Sequence, residues 1–462
     1  MHEPQTQPLS DEFIRWLIER HTAVTVPALR RLWEYYRNDL DFSHGAPAGD
    51  ERRYAAAQQQ GLPRRLASAR GREIVIENDI AWRIHTMVDF MFGKPPTIES
   101  LSPDRAVARR IEQLLSETFE NSGGIGFFQD MALLGAIYGF VDVMVRPGMG
   151  AGPAGEAPVE LEAIEAPRAV PVIDGSDYRK LAGYLLHYTQ PLNRLDRGSF
   201  LSRLMHGRCR QATVEVTEVW TAEQVRTWHD GREVWAGPNM LGAVPVVHIQ
   251  NLPQPLVYEG ISEVEPLIPL QDELNTRLSD RANRVTLQSF QMYLAKGIEN
   301  FAQRPIGPGQ MWLTENPAAS IQAFGGDGGP NPSEDAHINE IREALDKASG
   351  VTALAAGVLR NKIGNLTSEN ALRVTLLGLL AKTQRKRIAY GRGIERICAM
   401  VLHALDIADV VRTEPQDRKV CLHWPSPLPE NTEQRLREAK LKLQVGVPRP
   451  RVLAELGYCG TE

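Results

Sequence analysis

The hydrophobic period of this chain changes twice, and that change limits what it can fold into. Up to about residue 141 apolar residues recur at three- and four-residue spacing. From Val141 the spacing falls towards two, through VDVMVRP, VELEAIEAPRAVPVI, LAGYLLHYTQ, QATVEVTEVWTAEQVRTWHDG and AVPVVHIQN. From residue 258 it returns to the helical value. A period near 3.6 buries one face of a helix, and a period of two buries one face of a strand. The pattern therefore predicts an α+β protein with a strand-rich module across about 140–250, flanked by helical segments.

The helical parts can be placed more closely. Residues 10–40 carry Phe13, Leu17, Ile18, Leu29, Leu32 and Tyr36 at helical spacing, with Ser10 or Asp11 as cap. Residues 41–70 are rich in Gly, Pro, Ala and Gln and read as a loop. Ile74, Val75 and Ile76 lead into Asn78, and a helix follows with Ile84, Met87, Val88 and Met91. A further helix has its body from Asp104, and 124–141 reads as a helix in which Gly135 and Gly139 permit close packing. A long pattern over 258–290 carries Leu270, Leu274, Leu278, Ala282 and Val285. Glycine and proline crowd 291–332, so strands and loops are expected there, before a helix over 333–349 capped by Ser333. After an interruption at 350–367, the longest proline-free run extends from Ser368 to about Leu405, roughly 57 Å of helix. Two short helices with a turn around Val445–Pro448 close the chain.

Catalytic chemistry finds little support. Gly93-Lys94 invites a nucleotide-binding reading, but Pro95 has no N–H to offer and bulky Phe90-Met91-Phe92 precedes the glycine. A helix terminator is the better reading. Asp272 and Glu273 are adjacent, so on a helix they diverge and belong to a solvated face or a subunit contact. His85 reads as a surface or partly buried imidazole, and His187, His206 and His229 lack ligand spacing. The cysteines, at 209, 398, 421 and 459, are too scattered for a zinc cluster or a disulfide framework. No GxGxxG, GxSxG, HExxH or CxxC stands in a credible context. No enzyme activity, catalytic residue, metal or cofactor is expected.

Charge and hydropathy narrow the partners. With 52 Lys+Arg against 57 Asp+Glu the formal net charge is −5, so any grip on nucleic acid is local rather than spread over the chain. No window approaches the ~18 apolar residues of a membrane span, and MHEPQTQPLSDEF does not read as a secretory signal. One basic run stands out: Lys382, Arg385, Lys386, Arg387, Arg392 and Arg396 within the longest helix. It is compatible with solvation, with partner contacts or with nucleic acid.

The order of elements resembles the portal proteins of tailed bacteriophages, in particular the SPP1-type portal family, over roughly residues 12–455. The resemblance rests on LWEYYRNDL, ENDIAWRIHTMVDFMFGKP, GISEVEPLIPLQDELNTRLSDRANR, ASGVTAL with NLTSENALRV, and the closing HWPSPLPENTEQRL and LQVGVPRPRVLAELG. It implies a portal fold assembled as a ring, a dodecamer in the virion, around a channel for double-stranded DNA. On that template residues 1–257 are the wing with its β-rich module, 258–288 a wing-to-stem helix and 289–332 a protruding clip. Residues 333–349 become a second stem helix, 350–367 a channel loop, 368–428 a long wing helix with its return, and 429–462 a short helical crown. The implied partners are the terminase large subunit, a head–tail adaptor, and the major capsid and scaffolding proteins, with no membrane. The implied place is the portal vertex of the capsid, after assembly in the host cytoplasm. Arg360, Asn361 and Lys362 are the candidate channel-loop contacts to DNA, with Lys382, Arg385, Lys386 and Arg387 as the alternative basic set. A non-channel capsid scaffold and an α/β metabolic enzyme are the competing functions.

Overall fold

The structure, a computed structural model, describes residues 9–38, 75–148, 159–175, 177, 180–191, 213–289, 292–296, 316–324, 332–356, 374, 376–428, 432–449 and 452. In chain order the helices are α1 (Asp11–Arg20), α2 (Val26–Arg37), α3 (Ala81–Phe92), α4 (Arg105–Asn121), α5 (Ile125–Tyr138), α6 (Ile268–Ser289), α7 (Pro332–Ser349), α8 (Leu377–Ile407) and α9 (Thr432–Gln444). The chain divides into two compact units. One holds residues up to His85, Ala136–Phe140 and Gly260–Lys382, and the other holds Thr86–Gly135, Val141–Glu259 and the chain from Thr383.

In the first unit Ser10 caps α1 by accepting from the Phe13 N–H at 3.3 Å, and α2 stops where Asn38 turns left-handed at φ 58°. An apolar seam of Leu274 and Leu278 from α6 with Ile338, Ile341 and Leu345 from α7 is buried. Arg281–Asp335 (3.0 Å) and Arg284–Glu334 (2.5 Å) join the end of α6 to the start of α7, so the two helices run antiparallel. Between them in sequence lies a two-stranded antiparallel ladder, β10 (Met292–Lys296) with β11 (Ser320–Phe324). Strands therefore occur where glycine and proline crowd the sequence.

A second face of α6 carries Gln271, Asn275 and Ser279, one turn apart and all buried. Each side chain meets the backbone of the segment leading into α3. Gln271 Oε1 accepts from Asp79 N (3.2 Å), Asn275 Oδ1 from Glu77 N (3.1 Å) and Ser279 Oγ from Val75 N (2.9 Å). Every second residue of an extended chain advances about 6.6 Å, and every fourth residue of a helix about 6 Å. The two repeats match closely enough for one helix face to act as a partner strand. The alternate N–H groups of the half-buried segment 75–79 are satisfied without a sheet.

The second unit carries most of the strands. β2 (Phe140–Pro147) is the middle strand between β3 (Val159–Ile164) and β9 (Val246–Gln250). A five-stranded meander follows the order β4 (Ala169–Ile173), β5 (Leu181–Pro191), β6 (Thr213–Thr221), β7 (Gln224–His229), β8 (Arg232–Pro238), with every neighbour antiparallel. These are the strands expected across 140–250. Met144, Ile164, Tyr184, Leu186, Trp220 and Val246 form their shared core. β1 (Thr97–Ser100) pairs with β12 (Val420–His423) from the far end of the chain. Helix α5 ends at Tyr138 rather than at 141, because Gly139 takes φ +88°, where a side chain would meet the Gly260 carbonyl at 2.4 Å. Gly135 lies inside the helix, and a Cβ there would meet the Tyr390 hydroxyl at 2.0 Å. Only glycine lets those two elements approach.

Candidate nucleic-acid contact segment and its anchors

Arg360, Asn361 and Lys362 lie outside the described residues, as do Gly357 and Gly364. What the structure describes is the chain on either side of them. Helix α7 ends at Gly350, left-handed at φ +68°, whose N–H closes on the Asp346 carbonyl at 2.9 Å. Immediately beyond, the Val351 carbonyl accepts from Arg83 Nη1 at 2.8 Å. The same guanidinium pairs with Asp79 (2.8 Å) and Asp346 (2.6 Å) and covers the face of Trp82 at 4.2 Å. Its side chain is wholly buried. Two carboxylates, a carbonyl and an indole face thus surround one cation, the arrangement that makes a buried arginine tolerable.

The other side of the segment is held by Lys382. Its ammonium pairs with the buried Glu263 and donates to the Ser349 carbonyl at 2.6 Å. A cation at the last carbonyls of α7 also complements that helix terminus. Lys382 is therefore an internal anchor in this chain, 7% exposed. Arg342–Glu77 (2.7 Å) and the Gln271 amide on the Glu77 carbonyl (2.6 Å) brace the same region.

The rest of the basic run divides by helix face. Lys386 is fully buried, with its ammonium 5.8 Å from the Tyr390 ring centre. Arg387 is buried against Trp424, 5.1 Å from the ring centre, and donates to the Phe90 carbonyl at 3.4 Å. Burial pulls its guanidinium below the usual arginine range. Arg385 is exposed, as are Arg392 and Arg396 further along. Of Lys382, Arg385, Lys386 and Arg387, only Arg385 presents its charge to solvent in this chain.

The remaining sequence candidates settle into structural positions. Gly93 closes α3 through its N–H to the Asp89 carbonyl at 2.8 Å, and a Cβ there would meet that oxygen at 2.6 Å. This is the terminator geometry, with the N–H turned into the helix rather than towards a phosphate. Asp272 is only partly exposed and accepts from the buried Tyr35 hydroxyl at 2.8 Å. Desolvation holds its carboxyl up at about 6, against the donated hydrogen bond and the charge of Arg31. His85 is exposed, 2.9 Å from the Tyr36 hydroxyl. His187 meets Thr217 (3.0 Å) across the sheet, His229 is exposed, and His206 lies outside the described residues.

A second buried hub went unread in the sequence. Asp142, on the middle strand β2, is fully buried and accepts from Tyr184 (2.8 Å), Tyr258 (2.9 Å) and His248 Nδ1 (2.7 Å). His248 Nε2 faces the Tyr258 carbonyl at 2.7 Å. Both ring nitrogens thus lie within hydrogen-bond distance of an oxygen. Burial first, then the Asp142 charge, pushes both tyrosines well above their ordinary range. Hydroxyl donation to a carboxylate is their settled role.

The family model described as phage portal protein, SPP1 Gp6-like, matches residues 20–456, and the chain belongs to that family. No curated protein matches it. Among solved structures it is similar to a chain of the virion of a native gene transfer agent particle, at 12% identity and TM-score 0.46, covering 85% of this chain and 97% of that one. A chain from the neck of an empty gene transfer agent particle, computed with C6 symmetry, is similar at 12% identity and TM-score 0.46, covering 82% and 90%.

Proposed function

We propose that the chain is the subunit of a portal ring, a dodecamer in the virion, at the capsid vertex. The ring is a conduit through which double-stranded DNA enters during packaging and leaves during ejection. It docks the terminase large subunit, then a head–tail adaptor, and meets the major capsid and scaffolding proteins. It has no hydrolytic chemistry of its own, and a separate terminase supplies ATP turnover. The observation that carries this reading is the family match over residues 20–456.

The local physics is consistent with it. In this assignment 289–332 is the clip, joined to the body by α6 and α7, and 350–367 is the channel loop. Arg83 and Lys382 hold the chain on either side of that loop, so Arg360, Asn361 and Lys362 can meet passing phosphates without being needed for folding. Weak, local contact suits a duplex that must slide, because each neutralised phosphate adds affinity. A chain of net charge −5 avoids gripping it elsewhere.

Electron microscopy of purified protein tests the reading. Closed rings with an axial hole wide enough for a duplex are expected. Monomers or closed particles without an axial opening would favour the non-channel scaffold instead.

A further inference from the structure

A cleft of about 1030 Å³ opens in the second unit between the loop and strand around β9 and one face of α8. Its floor is apolar, with Leu241, Val246, Ile249 and Met400. Its polar lining includes Lys180, Arg392, Arg396, Arg418 and Lys419, and among the described residues no aspartate or glutamate. Arg418 is neutralised by Asp406 at 2.6 Å, and Lys180 reaches Asp177 at 3.8 Å. The side chains of Arg392, Arg396 and Lys419 are exposed and make no hydrogen bond or ion pair among the described residues. Three unneutralised cations over an apolar floor, in a chain of net negative charge, make a surface suited to carboxylates carried beside apolar side chains. The phosphates of a duplex could reach the rim but would leave the floor unused.

The chain itself carries a surface of the matching kind. On α1, Glu12, Trp16 and Glu19 are exposed at i, i+4 and i+7, so they share one helix face. Phe13 is exposed beside them and stacks on Trp16 at 5.8 Å, and the exposed Arg20, one turn on, lies over the Trp16 ring at 5.5 Å. Two half-exposed aromatic rings between two carboxylates, with one guanidinium over the indole, offer apolar area and net negative charge to a partner. A closed ring of identical chains needs two different surfaces on every copy, because its interfaces are head-to-tail and not self-matching.

We infer that the cleft receives the α1 face of a second copy, with Trp16 and Phe13 on the apolar floor and Glu12 and Glu19 against Arg392, Arg396 and Lys419. The inference rests on the ring reading and names one of its interfaces. The test uses full-length chains, with assembly followed by mass photometry and folding by circular dichroism. R392E/R396E and E12R/E19R should each fold normally yet weaken self-association about tenfold or more, as expected for lost and reversed close charge pairs. Combining all four substitutions in one chain should restore assembly. A photo-crosslinking residue at position 16 should join copies through peptides of the cleft. If the wild type forms rings and R392E/R396E does so equally well, the docking is overturned while the ring stands. If the wild type never forms rings, the ring reading fails; an inter-copy crosslink from position 16 into the cleft would still uphold the docking, and its absence would overturn that too.

Discussion

Arg83 and Asp142 are both shut away from water, one in each unit, and each is neutralised in a different way. Arg83 is a cation with two carboxylates and a carbonyl around it. Asp142 is an anion that accepts hydrogen bonds from two tyrosine hydroxyls and faces the His248 ring. Most of the partners of Asp142 would remain uncharged if it were neutralised. Removal of Arg83 instead leaves two like charges facing each other. Asp79 is almost wholly buried, while Asp346 is 21% exposed and can recover some hydration. The contrast is between a hub whose loss strands charges and one whose loss chiefly strands hydroxyls.

Substitutions can break that contrast. Arg83→Met should cost the most, about 3–5 kcal/mol, the range for leaving buried charges without their partner. Equilibrium urea unfolding measures it, and the transition should lose stability in the unit containing α6 and α7. Asp142→Asn should cost less, about 1–3 kcal/mol, because the amide keeps one acceptor for the tyrosines but loses the second carboxylate oxygen of the hub. Equal costs at the two sites would remove the distinction drawn here. Tyr184→Phe should cost about 1.5 kcal/mol, the low end for one hydrogen bond to a carboxylate, because other partners of Asp142 remain.

The smallest expected effect concerns Asp272, only partly shielded from water and therefore screened. Its folded carboxyl titrates near 6, above the ordinary 3.8. Between those values the folded chain holds a proton that the unfolded chain has released, so stability falls as pH rises from about 4 to 6 and then levels off. Asp272→Asn keeps an acceptor for Tyr35 and should flatten that slope. Unfolding midpoints at pH 4, 6 and 8 would reveal it. A variant that retained the full slope would place the titrating group elsewhere.

The strands were legible because their sequences alternate or run apolar between turn residues, and the alternation survives in burial at the start of β3, where Val159 and Leu161 are buried and Glu160 is exposed. β2 was legible as a strand, but Asp142 within it was not recognised as a hub. All of Phe140–Val145 is buried on both faces, and an acid in such a run was the available signal. The basic run on α8, left open between solvation, partner contacts and nucleic acid, divides by helical phase. Lys382, Lys386, Tyr390 and Ile394 follow one another at four-residue spacing, and all are buried. The two lysines continue the apolar stripe, whereas Arg385, Arg392 and Arg396 lie off it. Charge count drew attention to the run, and helical phase decided which of its members face water. The roles of Gln271, Asn275 and Ser279 were harder to see. A polar row on a helix normally signals solvent, and only the extended segment laid against it explains its burial.

The pairing of β1 with β12 sets a timetable for synthesis. Thr97 meets His423 and Ser100 meets Val420, so one edge of the second unit waits for a partner made some 320 residues later. At ribosomal speeds of about 5–20 residues per second that wait is roughly 16–64 s. Meanwhile β2 to β9 can form their sheets, since all of those strands lie within one continuous stretch of chain. The first unit likewise waits for α6 and α7 before the segment 75–79 has a face to lie on. Both units therefore mature late and close together in time, during a period when half-built surfaces are open to chaperones and to neighbouring nascent copies.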